Sequence, residues 1–290
     1  MRIFLSTVLF SLMLPLQAMT TIVYPAAESE QDIRFADVME ILQLALELTK
    51  PEYGPFELHP FPIPLTESRS RALLKQTQEL DLLWSPTSLQ LEDELLPVRI
   101  PLRKGLLSYR LCLVTQQQQQ RLQAISTLAE LRQLVIGQGA GWLDTEVYRY
   151  NGLRVVTGLY DDLFAMLARD RFDIFPRGLA EAFAELEIRQ PTLPNLIIDD
   201  ALLLYYPWPY YFFVHPSNQE LAERLELGMR RMIANGSFDE IFYRYNHQAI
   251  ERANLTGRRI IRLENPNLPK SAPVEDPSLW FTPKAWQASP

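Results

Sequence analysis

One cysteine occurs in the 290 residues, and that scarcity removes several possibilities at once. A single thiol forms no intramolecular disulfide, so nothing in the fold is stapled. Cys112 lies inside Leu111-Cys112-Leu113-Val114, where a buried core residue is favoured over a nucleophile. The three histidines, His59, His215 and His247, are far apart and lack metal-ligand spacing, so no metal is assigned. No phosphate-cradling glycine loop and no nucleophile elbow with a Ser-His-Asp order is present. No cofactor is implied. A net charge of −7 and a pI near 5.2 argue against nucleic-acid binding. No internal repeat is evident.

Long apolar runs are also missing after the N-terminus. The nearest approach, Leu196 to Val214, is broken by Asp199, Asp200, Pro207 and Pro209. What is present is a leader pattern at Met1–Ala18. Arg2 supplies a positive start, an apolar run covers Ile3 to Leu14, and a small residue, Ala18, closes it. This order predicts a secretory signal cleaved near Ala18 and a mature, soluble chain in the periplasm. No cysteine follows the cleavage point, which disfavours a lipid anchor.

The mature part alternates strands and helices. A strand at Thr21–Tyr24 precedes a helix over 32–50, whose stripe is Phe35, Val38, Met39, Leu42 and Leu46. A strand near Phe56–His59, a helix from Thr66 to Glu79 and a short strand Leu80–Trp84 follow. This βαβαβ order implies strands beside one another with helices on their faces. A second series starts after the strand Tyr109–Thr115 and the polyglutamine connector Gln116–Gln120. It comprises a helix at Ser126–Arg132, strands at Leu134–Gly137, Val155–Val156 and Phe172–Phe175, and helices from Asp144 and Asp161. Tyr211–Val214 reads as a returning strand. Two helices divided by Gly236 close the regular part, and a proline-rich tail begins at Glu251 with Trp280, Phe281 and Trp286 as anchors.

The order and spacing of several pieces resemble the type 2 periplasmic solute-binding proteins, in the family 3 group that includes polar amino-acid binders. Those pieces are Leu80 to Thr87, Ser126 to Leu131, Val135-Ile136-Gly137, Leu163 to Phe175 with Arg171-Phe172-Asp173, and Asn235-Gly236-Ser237-Phe238. The resemblance implies an α/β, two-lobed fold with parallel-rich sheets, two crossover strands and a cleft between the lobes. It divides the chain into a leader at 1–18, a first lobe at 19–109 and 212–250, a second lobe at 110–211 and a tail at 251–290. It also implies a monomer that captures a small-molecule solute by hinge closure and delivers it to an ABC-type permease or a membrane sensor.

The amino-acid binders place an arginine shortly after the threonine that aligns with Thr87, and an acid shortly after Asp173. Here Thr87 precedes Ser88-Leu89-Gln90-Leu91-Glu92, and Asp173 precedes Ile174-Phe175-Pro176-Arg177. The altered pattern predicts an anionic solute held by Arg177, since Ile174 to Ala184 offers only Glu181 as a local partner for that charge. The other reading of Arg177 is an interlobe salt bridge or a surface arginine. Gly139, Gly141 and Trp142 form either an anion-binding loop or a plain turn. Ser85 and Thr87 offer hydroxyls to a ligand or cap the next turn. Trp84 and Tyr24 line the cleft or the core. Arg103 either replaces the missing arginine or stays solvated. Two other functions compete with solute capture: a dehydratase-like enzyme on the same fold, with Asp144 or Glu146 as its acid, and a ligand-free module whose tail docks a partner.

Overall fold

The computed structural model describes residues 19–26 and 35–283. The expected leader at Met1–Ala18, the helix start at Asp32 and Trp286 lie outside them. The chain begins with β1 (Thr20–Tyr24), α1 (Ala36–Leu48), α2 (Lys50–Tyr53), β2 (Phe56–Pro60), α3 (Glu67–Gln76), β3 (Leu82–Pro86), α4 (Leu89–Glu94) and β4 (Leu96–Val98). It continues with β5 (Tyr109–Thr115), α5 (Gln116–Gln123), α6 (Leu128–Leu131), β6 (Val135–Gly139), α7 (Asp144–Tyr150), β7 (Arg154–Gly158) and α8 (Tyr160–Ala168). Next come β8 (Phe175–Gly178), α9 (Leu179–Arg189), β9 (Leu196–Ile198) and β10 (Leu202–Tyr205). Then β11 (Tyr210–Val214), α10 (Gln219–Asn235), α11 (Ser237–Ala253) and β12 (Arg259–Arg262) complete it.

Two lobes result. In the first, β11 lies between β3 and β4, antiparallel to both, while β1 and β2 pair in parallel. In the second, β5 pairs antiparallel with β8, β9 and β10, and β6 pairs in parallel with β7. The sheets are therefore mixed and not parallel-rich. The reason is that β5 and β11, the strands that follow each lobe crossing, run against the βαβ strands beside them.

An aspartate joins the parallel pair to the main sheet in each lobe. Asp81 accepts from Val23 N–H at 2.7 Å through its carboxylate, and its own N–H donates to the Val23 carbonyl at 2.9 Å. Asp173 makes the same two contacts with Val135, at 2.7 and 2.9 Å. This use of residues 172–174 explains why the regular strand starts three residues later than Phe172–Phe175 predicts; Ile174 retains a single bridge to Ile136.

Each lobe has its own core. Val38, Ile41, Leu42, Phe212, Leu225, Met229 and Phe238 are buried in the first, and Cys112, Ile136, Tyr148, Phe164, Phe175 and Leu204 in the second. Burial pushes the Cys112 thiol up, which keeps it protonated and inert. At the end of α1 the buried Arg224 donates to the Leu46 carbonyl, and also to Gly54 O at 2.8 Å, while Arg231 donates to the Leu48 carbonyl at 2.6 Å. The polyglutamine run, open in sequence between connector and helix start, is the helix α5.

The tail departs from the extended reading. α11 continues to Ala253, and β12 adds to the second lobe's sheet in parallel with β10, with Leu202 opposite Arg259 and Tyr205 opposite Arg262. The β-branched pair Ile260-Ile261 between two arginines is too short to stand out as a strand beside the prolines further on. Ile261 and Leu263 enter the second lobe's core, whereas Leu279 and Trp280 enter the first lobe's core.

α1 and α10 pack at close range through Gly228, where a Cβ would lie 2.2 Å from the Ala45 carbonyl oxygen. Alanine gains about 1 kcal/mol of helix propensity over glycine, yet here the backbone leaves it no room. Gly228→Ala is expected to destabilise the protein by about 1–3 kcal/mol, the range for overpacking. Urea denaturation checks this; an unchanged midpoint would mean that the helices separate freely.

Candidate functional site

The two crossings, Arg99–Ser108 and Tyr206–Pro209, leave a cleft of about 840 Å³ between the lobes. Thr66, Ser68, Arg71, Pro86 and Tyr210 line it from the first lobe. Leu107, Arg110, the loop Ala140–Asp144, Arg177, Glu181 and Trp208 line it from the second lobe and the crossings. That volume suits a small organic ligand.

Its floor is Arg110, in the seven-residue strand β5, which is buried at every position. The guanidinium is 3% exposed and lies between Tyr206 and Trp208, 5.2 and 4.9 Å from their ring centroids. Asp144, at the start of α7, stands 3.7 Å away and accepts from the Tyr206 hydroxyl at 3.2 Å. Arg110 Nε has no hydrogen-bond partner among the described residues. A buried guanidinium with an unmet donor at a cleft floor is incomplete by itself. Burial pushes the Asp144 carboxyl up, against the pull of Arg110 and Arg177.

Arg177 also lines the cleft, but its charge is met within the lobe. β8 places it so that α9 brings Glu185 to its face: Nε donates to Glu185 at 2.7 Å and a second nitrogen donates at 2.7 Å. Glu181 is 3.2 Å from the same guanidinium. Trp142 covers it, with the guanidinium carbon 4.5 Å from the ring centroid, and Phe175 is stacked on Trp142. Glu181, the local carboxylate that the sequence offers, does stand beside the guanidinium, and Glu185, eight residues on, adds the bidentate pair, because two turns of helix return its side chain to the strand end.

Glu181 carries the remaining negative charge. Its carboxylate accepts from the Gly178 N–H at 3.0 Å. Burial opposes its ionisation, yet Arg177, Arg110 and that N–H outweigh it and hold the carboxyl below the usual range. Arg71 is paired at 2.8 Å with Glu94. Three guanidiniums on the lining thus face four carboxylates, two on the lining and two just behind it. An excess of carboxylate does not fit a purely anionic solute.

The other sequence candidates divide. Gly141 and Trp142 line the cleft, and Gly139 lies beneath the Trp142 indole at the end of β6. Ser85 and Thr87 are buried off the lining. Ser85 donates to the Pro86 carbonyl at 3.1 Å and Thr87 to Glu92 at 2.8 Å. Trp84 packs against Phe35 and Tyr24, with centroids 5.6 and 6.3 Å apart, as part of the first lobe's core. Arg103 is not solvated. It forms a bidentate pair with Asp37 at 2.6 and 2.7 Å, with Phe35 and Tyr210 at its faces. Glu146 is exposed, bonded to Asn267 of the tail. The sequence reading passed over Arg110. Its signal was one charge in an otherwise apolar strand.

No protein-family model matches the chain, and no curated protein sequence matches it. Solved structures do. An ancestral arginine-binding protein bound to arginine aligns with a TM-score of 0.53 at 16% identity, over 79% of this chain and 99% of that one. A histidine kinase sensor domain with similarity to periplasmic binding proteins aligns with a TM-score of 0.53 at 13% identity, over 79% and 96%. The ancestral amino-acid-binding protein AncCDT-1, a precursor of cyclohexadienyl dehydratase, aligns with a TM-score of 0.52 at 13% identity, over 78% and 95%. The chain has the two-lobed α/β fold of the amino-acid-binding periplasmic proteins.

Proposed function

We propose that the chain is a periplasmic solute-binding protein that captures a small zwitterionic solute of the amino-acid class and presents it to a membrane permease or sensor. The observation that carries this reading is Arg110, a buried guanidinium with an unmet Nε at the floor of a cleft whose opposite charge is supplied by Glu181 and Asp144. A carboxylate in the cleft meets the charge of the Arg110 guanidinium, and an ammonium finds acceptors on Glu181 and Asp144. Trp142, Trp208 and Tyr210 supply apolar walls for the rest of the solute. The neighbours that bind arginine or other amino acids support the class. The carboxylate excess speaks against the anionic solute that the sequence pattern alone favours.

Arg177 has a different role in this reading. Its bidentate pair with Glu185 and its stacking on Trp142 build the wall, and the ligand meets Arg110 in its place.

Asp144 favours one second reading. A cleft carboxyl pushed up by burial suits general acid–base work, as a dehydratase-like enzyme on this fold requires. Turnover of cyclic acids that is lost in Asp144→Asn would establish it, and no turnover by the wild type would dismiss it.

Two outcomes test the main reading. Calorimetric titration with the common L-amino acids, L-arginine and L-lysine included, is expected to find a binder. Arg110→Lys and Glu181→Gln should each weaken it by about 2–4 kcal/mol, the scale for truncating a buried charged contact. Unchanged affinity in both would move the ligand elsewhere. Arg177→Ala is expected to act on stability, losing about 3–5 kcal/mol because Glu185 is left without a counter-charge, with only the Tyr160 hydroxyl donating to it. A wild-type denaturation midpoint in that variant would return Arg177 to the ligand.

A further inference from the structure

Two chain crossings, 99–108 and 206–209, connect the lobes in the first part of the sequence; α11, packed on α1 of the first lobe and α9 of the second, carries the chain over to β12 as a third, and the tail beyond β12 makes a fourth. It leaves the second lobe at Leu263, whose N–H donates to the Tyr205 carbonyl at 2.8 Å beside β10. Asn151, just after α7, then grips Glu264 on both sides: its Oδ1 accepts from Glu264 N–H at 3.0 Å, and its Nδ2 donates to the Glu264 carbonyl at 2.8 Å. Asn265 donates to the Pro207 carbonyl at 2.9 Å, in the second crossing.

The next residue pair bridges the lobes. The Asn267 carbonyl accepts from Leu89 N–H at 3.0 Å, at the start of α4 in the first lobe, while its side chain donates to Glu146 on α7 in the second. Ser271 donates to Glu92 of α4 at 3.2 Å. The far end is seated hard. Trp280 fills the space over Gly105, whose φ is +67° and where a Cβ would lie 1.9 Å from the indole. Phe281 then spans the first crossing, donating to the Lys104 carbonyl and accepting from the Tyr109 hydroxyl, both at 2.7 Å. None of these residues lines the cleft described above, so the tail lies beside the ligand space and does not fill it.

We propose that residues 259–281 form an interlobe strap that, added to the two crossings and to α11, holds α4 and α7 at a fixed separation, so that the cleft is preset and ligand capture proceeds without the wide hinge closure expected from the sequence. Length does not impose this restraint. The 15 residues from Glu264 to Ser278 could extend to roughly 50 Å at about 3.3 Å each. The seated contacts impose it. Moving α4 from α7 breaks the Asn267 bridge, and shifting either crossing disturbs Asn265, Lys104 or Tyr109.

The test needs no ligand, so its result is independent of what the cleft binds. Spin labels on Gln43→Cys and Gln190→Cys report the interlobe distance. Both positions are exposed, and native Cys112 is buried and does not compete for label. The full chain is expected to give one narrow distance distribution. A chain ending after Leu263, which keeps β12, should give a distribution at least twice as broad. Should that chain fail to fold, Asn267→Ala combined with Trp280→Ala in the full chain replaces it, with the same expectation. Equal breadth in the strapped and released proteins, or a broad distribution in the full chain, overturns the proposal.

Discussion

An arginine inside a buried strand sets the terms for much of this molecule. β5 is the strand on which the second lobe's sheet is built, since β8, β9 and β10 all pair with it. Burying Arg110 in that strand is costly unless the surroundings return what water supplied. Two aromatic faces and a carboxylate do so, and each fixes an element: Tyr206 and Trp208 the second crossing, Asp144 the start of α7. The compensation is partial, since Nε is left without a partner among the described residues. In the proposed function, structural need and ligand affinity therefore meet in the same side chain. Removing it disturbs both the sheet and the cleft, which is why Arg110→Lys, keeping the charge, separates the two more cleanly than alanine.

The two aspartate clasps show why the sequence carried the fold so well. Asp81 and Asp173 stand at equivalent places, after the second helix of each series, and each locks the third strand to the first through a pair of backbone contacts. Leu80-Asp81-Leu82 and Phe172-Asp173-Ile174 are thus short pieces under strong local constraint. Capping and periodicity were legible for the same reason. Thr66 accepts from Arg69 N–H, and Thr127 and Glu130 complete a capping box.

The site was less legible because its pairings are not local. Arg103 meets Asp37 across 66 positions, which turns an exposed-looking charge into a buried pair. The Arg177–Glu185 pair spans only eight positions, yet recognising it requires knowing that a strand ends and a helix begins between them. Ser85 and Thr87 stand at a strand end, as read, but both hydroxyls turn to protein acceptors off the cleft. β12 escaped notice because four residues between a helix and a proline-rich stretch carry too little periodicity to separate strand from loop.

The seating of Trp280 has a consequence for the order in which the chain can fold. Leu279 and Trp280 pack among Val38, Leu42 and Phe212, so the core begun by α1 is completed by residues made nearly 250 positions later. Contacts of such sequence separation carry a large loop-closure entropy and form late. The second lobe, contiguous apart from β12 and the α11 face that carries Phe242 and Ala253, can begin to assemble as soon as β10 is available. The first must wait for β11, α10 and finally the indole over Gly105. A chain emerging from its N-terminus therefore completes the core it began first only once Leu279 and Trp280 are made.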